Sequence, residues 1–295
     1  KLNYYYYFMI SIILPAFNEE KAIKKSIEDI NNVMEKSKIS PYEILVIDDG
    51  SSDNTYKYAK QTNARVIKNP HNLGYGSSLK KCIELAKYET LIISDADLTY
   101  PAESIPELIK KKKEGYDMVV GQRTGRHYRE SPIKLPFRIV LRFLVEYVAE
   151  RKIPDINSGF RIFDRSTAKK YFSHLCDTFS FTTSLTLAYM MNSKFVHYVP
   201  IKYFEREGNT KVRLLRDSIR TFQYIIEAVI FYNPMKMFML LSLFLILMGF
   251  VLLLLGAFSS LNIFYILGIS SIIISLLTIC MGFLAVLLKQ IMIKK

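Results

Sequence analysis

Residues 10–20 read ISIILPAFNEE and residues 90–97 read TLIISDAD, and in both a short apolar run gives way abruptly to polar and acidic side chains. The apolar runs at 9–14, 43–47, 65–67, 90–94 and 118–120 are mostly β-branched. Segments with helical spacing lie between them, at 19–36, 54–61, 76–87 and 102–113, and proline or glycine marks the junctions. This alternation predicts an α/β fold with a doubly wound, mostly parallel sheet and helices on both faces.

Three of the predicted strands end in acidic or polar side chains. In doubly wound sheets, ligands bind beyond the carboxyl ends of the strands. A single acidic strand end commonly caps the next helix, but three at one edge of a sheet predict a binding site. The three ends are Asn18–Glu19–Glu20, Asp48–Asp49 and Asp95–Ala96–Asp97.

Asp95 and Asp97 form the sharpest chemical pattern. Residues i and i+2 of an extended segment point to the same side, so the two carboxylates can grip one divalent cation. Mg²⁺ is usually held by one or two carboxylates together with substrate phosphates. A solvated acidic pair before the turn at Pro101 explains the spacing equally well. Residues 74–76 (GYG) either bring backbone amides to a phosphate or form a purely structural turn; no P-loop or dinucleotide-binding motif occurs.

The amino-acid composition excludes some classes of protein and predicts an anionic partner. Half of the residues are apolar, which excludes intrinsic disorder, and 40 basic against 27 acidic residues give a net charge of +13. Such charge predicts an anionic partner, either a phosphate-bearing substrate, a membrane surface or nucleic acid. Three dispersed cysteines exclude a disulfide framework and fit a reducing compartment. Since residue 1 is Lys rather than Met, we expect the natural N-terminus to lie upstream.

The C-terminal part carries two uncharged apolar stretches, 237–258 and 263–288. Each is long enough to cross a bilayer, and the alternative is a pair of buried core helices. Lys236 precedes the first stretch, three lysines follow the second stretch, and the linker between them has no charged residue. Because lysine and arginine are enriched on the cytoplasmic side of membrane proteins, both ends of the hairpin are expected in the cytosol. We therefore predict a cytosolic domain over residues 1–211 and a transmembrane hairpin over 233–295. The run at 9–14 is too short for a signal peptide.

Two further segments have the pattern of amphipathic helices. Between 133 and 151, polar residues recur every fourth position within an otherwise apolar sequence, and 212–232 repeats this pattern. Such helices fit the plane of a membrane interface, with basic side chains meeting anionic headgroups; the alternative is ordinary packing on the sheet. Because these basic residues sit beside apolar faces, nucleic-acid binding is disfavoured. Residues 179–183 (FSFTT) are expected to open a helix and to pack in the core.

The order of the motifs resembles a known family. ISIILPAFNEE (10–20), IDDGSSDNT (47–55), NLGYG (72–76), DADLTYP (95–101) and VGQR (120–123) follow one another as in family-2 glycosyltransferases with a GT-A fold. DINSGFR (155–161) and REGNTK (206–211) are similar to the branch of dolichyl-phosphate mannose and glucose synthases, whose acceptors are polyprenyl phosphates. The resemblance covers residues 9–232, and the two-helix tail resembles members that glycosylate undecaprenyl phosphate.

The resemblance implies a donor site for a nucleotide diphospho-sugar. Within it, Asp48 and Asp49 would lie near the base and ribose, and Arg206 and Lys211 would close over the donor. The residues implied are Pro15, Phe17, Glu19, Asp48, Asp49, Asp95, Ala96, Arg206 and Lys211.

The resemblance also implies the reacting groups. Asp95 and Asp97 would hold Mg²⁺ or Mn²⁺ on the diphosphate, and Arg123 would meet the acceptor phosphate together with Lys134 or Arg138. The catalytic residues implied are Asp97, Arg123 and Arg206. In mannose-transferring relatives the position of Thr99 is occupied by a Gln that also contacts the metal. The presence of Thr instead of Gln favours UDP-glucose over GDP-mannose as the donor.

The expected function is therefore inverting transfer of a sugar to dolichyl or undecaprenyl phosphate at a membrane, with the plasma membrane of a prokaryote favoured over the endoplasmic reticulum. Polysaccharide synthases of the same family are excluded, because their QxxRW motif needs a Trp and the sequence has none. The alternative is a non-catalytic membrane scaffold built on a glycosyltransferase domain. For residues 179–183, contact with the sugar is the less favoured alternative to packing in the core.

Overall fold

The computed structural model describes residues 9–125, 135–205, 222–223, 225–227, 229–259 and 261–293. Within them one seven-stranded sheet has the order β3-β2-β1-β4-β6-β5-β7. All neighbouring strands run parallel except β6, which is antiparallel to both β4 and β5. The predicted doubly wound, mostly parallel sheet is thus confirmed. The strands are β1 (Ile10–Ala16), β2 (Tyr42–Asp48), β3 (Arg65–Lys68), β4 (Thr90–Ile93), β5 (Met118–Thr124), β6 (Arg161–Asp164) and β7 (Val196–Lys202).

Helices connect the strands, and their apolar periodicity explains which side they bury. In α1 the residues Ile23, Ile27, Ile30 and Met34 recur at intervals of three or four and are buried in the core. In α7 all residues from 181 to 190 are buried, so this helix lies inside the fold. The helices of this part are α1 (Ile23–Lys36), α2 (Thr55–Lys60), α3 (Tyr75–Leu85), α4 (Ile105–Lys113), α5 (Leu135–Ala149), α6 (Arg165–Lys169) and α7 (Phe181–Met191), with 3₁₀ turns at Ala102–Ser104 and Phe172–His174.

The register of the central strands places the chemically interesting residues at one edge. β1 and β2 end together, because Ala16 pairs with Asp48. β4 pairs with β1 through Ile93 and Ile13, so Asp95 follows at the same edge. Because β6 runs antiparallel, its first residue, Arg161, also lies there, opposite Ile93 of β4. The predicted convergence of the three acidic strand ends therefore follows from the pairing.

The chain divides into two compact units, Lys1–Ile225 and Ile226–Lys295. The second unit holds two apolar helices, the first spanning Pro234–Phe258 and the second Ile263–Ile293. Both are long and apolar enough to cross a membrane, and the most apolar window of each is only 11% and 22% buried. Core helices of a soluble protein would be mostly buried, so the alternative of two core helices is disfavoured.

Small residues let the two apolar helices approach closely. A methyl group added at Gly249 would lie 2.9 Å from the carbonyl oxygen of Gly268, and one at Gly256 would press on the ring of Tyr265. The hydroxyl of Ser271 donates to the carbonyl of Leu245 across the pair at 2.8 Å. Close backbone approach at small residues and a polar cross-link are typical of helix pairs in membranes.

The two predicted amphipathic helices differ in how far they are described. α5 occupies most of the predicted range 133–151, whereas 212–221 lies outside the described residues, and the described residues from 222 to 232 are helical. In α5, Leu144, Val145 and Val148 are buried, while Ile139 and Phe143 are exposed. One side of α5 therefore packs on the fold and another presents apolar side chains outward.

Candidate functional site

A cavity of about 470 Å³ opens at the edge where the parallel strands end. Loops after β1, β2, β3 and β4 line it, together with the end of β5, the turn before β6 and the start of α7. The structure brings eight of the predicted site residues into this lining: Pro15, Phe17, Glu19, Asp49, Asp95, Ala96, Asp97 and Arg123.

The loop after β1 is fastened to the loop after β2. The amide of Glu19 donates to the hydroxyl of Thr55 (2.8 Å), and the amide of Asn18 donates to the hydroxyl of Ser51 (2.9 Å). Asn18 has a positive φ of 53°, a conformation that asparagine tolerates better than most residues. These bonds fix the side of the cavity that carries Phe17 and Glu19.

The two acidic residues after β2 have different surroundings. Asp48 lies outside the described lining of the cavity: it is fully buried and accepts the amide of Ser51 (3.0 Å). Asp49 lines the cavity, but its carboxylate accepts the amides of Leu73 and Gly74, both at 2.9 Å, and the side-chain amide of Asn69 at 2.8 Å. Asp49 therefore holds the turn that opens α3.

The contacts of residues 74–76 bear on their two interpretations. The amide of Gly74 is bound by Asp49, and the amide of Ser77 donates to the carbonyl of Asp177 (3.1 Å). A methyl group at Gly76 would collide with the carbonyl oxygen of Cys176. Glycine thus permits close packing against the segment before α7, which supports the interpretation of residues 74–76 as a structural turn.

Asp95 and Asp97 both line the cavity, as the predicted cation site requires. The hydroxyl of Tyr75 donates to Asp95 Oδ1 (3.1 Å), and the hydroxyl and amide of Thr99 donate to Asp97 Oδ1 (2.6 and 3.2 Å). Burial raises the pKa of Tyr75 well above its ordinary value, and the nearby charge of Asp95 raises it further. The phenol therefore stays protonated and remains a donor to Asp95.

The donor set fits a cation that is shared with a substrate. Among the described residues no group of three or more His, Cys, Asp or Glu side chains could hold a metal ion by itself. Two carboxylates completed by substrate phosphates are a usual coordination of Mg²⁺. The pair Asp95 and Asp97 therefore fits a cation whose coordination a substrate phosphate completes.

Arg123 is held by a residue to which the sequence assigned no role, Asp155. Two guanidinium nitrogens donate to the two carboxylate oxygens, each at 2.8 Å, and the amide of Arg123 donates to the same carboxylate at 3.1 Å. Burial alone would raise the pKa of Asp155, but the hydrogen bonds and charge of Arg123 lower it below its ordinary value. The guanidinium also lies 5.5 Å from the ring centroid of Tyr203, so Arg123 is fixed in orientation at the cavity.

An aromatic pair lines the cavity near Asp95. Phe179 was expected in the core, but it is 45% exposed and its ring stacks on Tyr75, with centroids 5.7 Å apart. Phe181, two residues later, is the residue that packs in the core and begins α7. The expectation of core packing was wrong for Phe179 because it lies two residues before α7, where the chain still lines the cavity. The sequence assigned Tyr75 no role beyond its turn, and it offered sugar contact for residues 179–183 only as the less favoured alternative.

The remaining predicted residues cannot be placed at the cavity from the described part of the chain. Lys134, Arg206 and Lys211 lie outside the described residues. Arg138 belongs to α5, and the structure describes its backbone only. The contact of Lys134 or Arg138 with the acceptor and the closure of Arg206 and Lys211 over the donor stay predictions.

Comparison with known proteins connects this geometry to a family. Residues 11–172 match the model of the family described as Glycosyl transferase family 2. An uncharacterised glycosyltransferase of Synechocystis is 32% identical over 165 residues, which are 53% of this chain and 50% of the relative, so the chain spans about half the length of that relative. A dolichyl-phosphate hexose transferase of Haloferax volcanii is 26% identical over 204 residues, covering 69% of this chain and 86% of the relative.

A solved structure supports the fold. The glucosyl-3-phosphoglycerate synthase of Mycobacterium tuberculosis, crystallised with Mn²⁺, UDP and phosphoglyceric acid, superposes with a TM-score of 0.59 at 19% identity. The match covers 75% of this chain and 78% of that one. At this identity the likeness concerns the fold, and it agrees with the GT-A architecture expected from the motifs.

Proposed function

The chain belongs to glycosyl transferase family 2, and on that premise we propose that it transfers a sugar from a nucleotide diphospho-sugar to a polyprenyl phosphate at a membrane surface. The observation that carries the proposal is the cavity that brings Asp95, Asp97 and Arg123 together at the carboxyl edge of the sheet. An anionic donor and an anionic acceptor both need a site of this kind, with places for a cation and an arginine. The dolichyl-phosphate hexose transferase among the relatives supports the lipid acceptor.

On the donor side, Asp95 and Asp97 would hold Mg²⁺ or Mn²⁺ against the diphosphate. When bound, the cation supplies charge neutralisation for the leaving nucleoside diphosphate. Pro15, Phe17 and Glu19 line the part of the cavity assigned to the nucleotide. Asp49 supports this part indirectly, by holding the turn at Gly74. Arg206 and Lys211 are proposed to close over the donor.

On the acceptor side, the nucleophile is a phosphate monoester whose second pKa is about 6, so it is mostly dianionic at neutral pH. One of its oxygens forms a bond to the anomeric carbon while the bond from that carbon to the diphosphate breaks, and no general base is needed. Arg123, held by Asp155, would orient this phosphate together with Lys134 or Arg138. The attack inverts the anomeric configuration, as in the relatives that the motifs resemble.

The membrane part of the proposal rests on three apolar features. The two apolar helices of residues 233–295 would form the hairpin anchor, α5 exposes Ile139 and Phe143 outside the packed core, and residues 212–232 would form a second interfacial helix. The lysines that flank the hairpin support a cytosolic domain over 1–211. The plasma membrane of a prokaryote is favoured.

We infer that UDP-glucose is the preferred donor and GDP-mannose the next. The support is Thr99, which is fully buried and donates its hydroxyl to Asp97 at 2.6 Å. Its short side chain is committed to the carboxylate, so it does not supply the third metal ligand that Gln provides in the mannose-transferring relatives the motifs resemble.

The test is a transfer assay on the full chain in detergent, with short polyprenyl phosphates, Mg²⁺ or Mn²⁺ and a panel of radiolabelled nucleotide sugars. We expect label from one donor to enter the organic phase and to be lost when EDTA is added. If folded protein binds a nucleotide sugar but transfers nothing to any lipid phosphate, the acceptor assignment is wrong. If it binds no nucleotide at all, the alternative of a non-catalytic scaffold gains support.

A further inference from the structure

Arg161, at the end of the motif DINSGFR, has an unusual environment. It is 0% exposed, and within the described part of the chain no ion pair joins its guanidinium to a carboxylate, although Asp155, which binds Arg123, is near enough to raise the pKa of Arg161. Its partners are neutral: Nη1 donates to the carbonyl of Thr182 (2.8 Å) and the hydroxyl of Thr186 (3.0 Å), and Nη2 donates to the carbonyl of Ser158. Among the described residues, Nε has no hydrogen-bond partner. Arg161 is thus a fully buried cation with incomplete hydrogen bonding.

Such an arrangement costs stability and gives no packing advantage. A buried charge without a counter-ion is strongly unfavourable, and an apolar side chain of similar volume would fill the same space. Burial lowers the pKa of Arg161, yet a guanidinium stays protonated in proteins. A merely structural tie between Ser158 and α7 could be made by a neutral donor. The charge itself therefore calls for an explanation.

The surroundings of Arg161 supply one, because its partners belong to the wall of the cavity. Thr182, which accepts from Arg161, lines the cavity, and Ser158 precedes Gly159, which also lines it. Tyr75 is another lining residue, and it lies near enough to the guanidinium for that charge to oppose the rise in the pKa of the phenol. The guanidinium therefore lies beneath residues that line the cavity near Asp95, and Arg161 itself is not one of the lining residues.

Most of the charged side chains that line the cavity are negative. Glu19, Asp49, Asp95 and Asp97 line the cavity, and in the described lining the cationic side chain is Arg123, which Asp155 already binds. A diphosphate entering this cavity meets more negative than positive charge until the cation is in place. A buried positive charge just behind the wall would offset this repulsion at every stage of binding.

We propose that Arg161 supplies a fixed positive charge that acts through the cavity wall on the diphosphate of the donor, as a positioning residue that never touches the substrate. This inference rests on the proposed function, since it names the group that stabilises the same donor.

The test measures binding of three ligands of increasing negative charge, uridine, UMP and UDP, to the full chain in detergent at fixed Mg²⁺, with the guanine series in parallel. In Arg161→Met and Arg161→Gln we expect the Kd of UDP to rise about tenfold, that of UMP to rise less, and that of uridine to stay unchanged. Arg161→Lys, which keeps the charge, should retain most of the UDP affinity. Arg165→Met is the control, because Arg165 follows β6 at the opposite edge of the sheet and binds the carbonyl of Ala86.

The dependence on ligand charge separates a field effect from a structural one. If a neutral variant weakens uridine, UMP and UDP equally, or weakens none, the proposal is wrong. Should neither neutral variant fold, Arg161→Lys decides: wild-type affinities support the proposal, and an equal loss for all three ligands overturns it. If the wild-type protein binds neither nucleoside diphosphate, the proposed function fails and this inference with it, whereas normal wild-type binding with unchanged variants refutes the inference alone.

Discussion

Replacing Asp155 by Asn should damage both stability and transfer, because Asp155 holds Arg123 with three hydrogen bonds. Asparagine keeps the size of the side chain, but it carries no charge and turns one of the two acceptors into a donor that faces the guanidinium. The pair is shielded from water, since the Arg123 and Asp155 side chains are only 14% and 1% exposed. The substitution therefore leaves a buried guanidinium without its counter-ion.

The size of the effect follows from this burial. Removing one partner of a buried ion pair costs about 3–5 kcal/mol, and the retained amide oxygen places Asp155→Asn near the lower end. For a unit of this size, about 1 kcal/mol corresponds to about 2–4 °C in Tm, so we expect Tm to fall by about 6–12 °C. Transfer should fall by about tenfold to a hundredfold at temperatures where the variant is folded, because Arg123 loses its fixed orientation.

The control is Asp117→Asn, which breaks the ion pair between Lys194 and Asp117. The two atoms of that pair are 3.2 Å apart, but the Lys194 and Asp117 side chains are 39% and 26% exposed, and Asp117 precedes β5, at the end of that strand opposite to Arg123. Such a pair contributes about 1 kcal/mol or less, so Tm should fall by at most about 2–4 °C and transfer should be unaffected. Thermal melts in detergent and the transfer assay on both variants provide the comparison. Equal losses of Tm, or normal transfer in Asp155→Asn, would refute the reasoning.

Three further predictions concern the same cavity. The pKa of Asp155 is lowered in the folded protein, so its contribution to stability is present above the ordinary carboxyl pKa of about 4 and is lost as the pH falls through the folded value. We therefore expect the Tm difference between wild type and Asp155→Asn to shrink below about pH 4. A Tm difference that stays constant with pH would contradict this. Asp97→Ala should abolish metal-dependent transfer while circular dichroism shows a folded protein. Retained transfer in this variant would show that Asp97 does not hold the cation. In Gly159→Ala the new methyl group would lie 3.0 Å from Asp95 Oδ1 and 3.2 Å from the Tyr75 hydroxyl. We therefore expect half-maximal transfer to need several times more Mn²⁺, with an unchanged Kd for uridine. An unaltered Mn²⁺ requirement would show that the neighbouring side chains move to accommodate the methyl group.

The sequence predicted the first five strands because each is an apolar, β-branched run followed by a polar break. It missed β6 and β7, and the physical reason differs between them. β6 has four residues, and one of them is the buried Arg161, which breaks the apolar pattern that marks a central strand. β7 lies at the edge of the sheet, is only partly buried and contains Pro200, a residue tolerated at edges but untypical of strand interiors.

At the site, the sequence located the acidic residues but not the partners that decide what each can do. The convergence of Asp49, Asp95 and Asp97 on one edge followed from the strand pattern. That Asp49 would hold the turn at Gly74 could not be foreseen, because the bond joins loops 25 residues apart in the chain. The pairing of Asp155 with Arg123 spans 32 residues, and only the antiparallel placement of β6 beside β5 brings them together.

The aspartates at this edge therefore divide by the donors that surround them. Asp49 binds backbone amides and shapes the site; Asp155 binds a guanidinium and orients it; and Asp95 and Asp97 each accept a hydroxyl while lining the cavity. A carboxylate fully occupied by amides or by a guanidinium has lost most of its affinity for a cation. By this criterion Asp49 shapes the donor site rather than contacting its metal, and the cation site proposed for Asp95 and Asp97 rests on their spacing and on their place in the cavity lining.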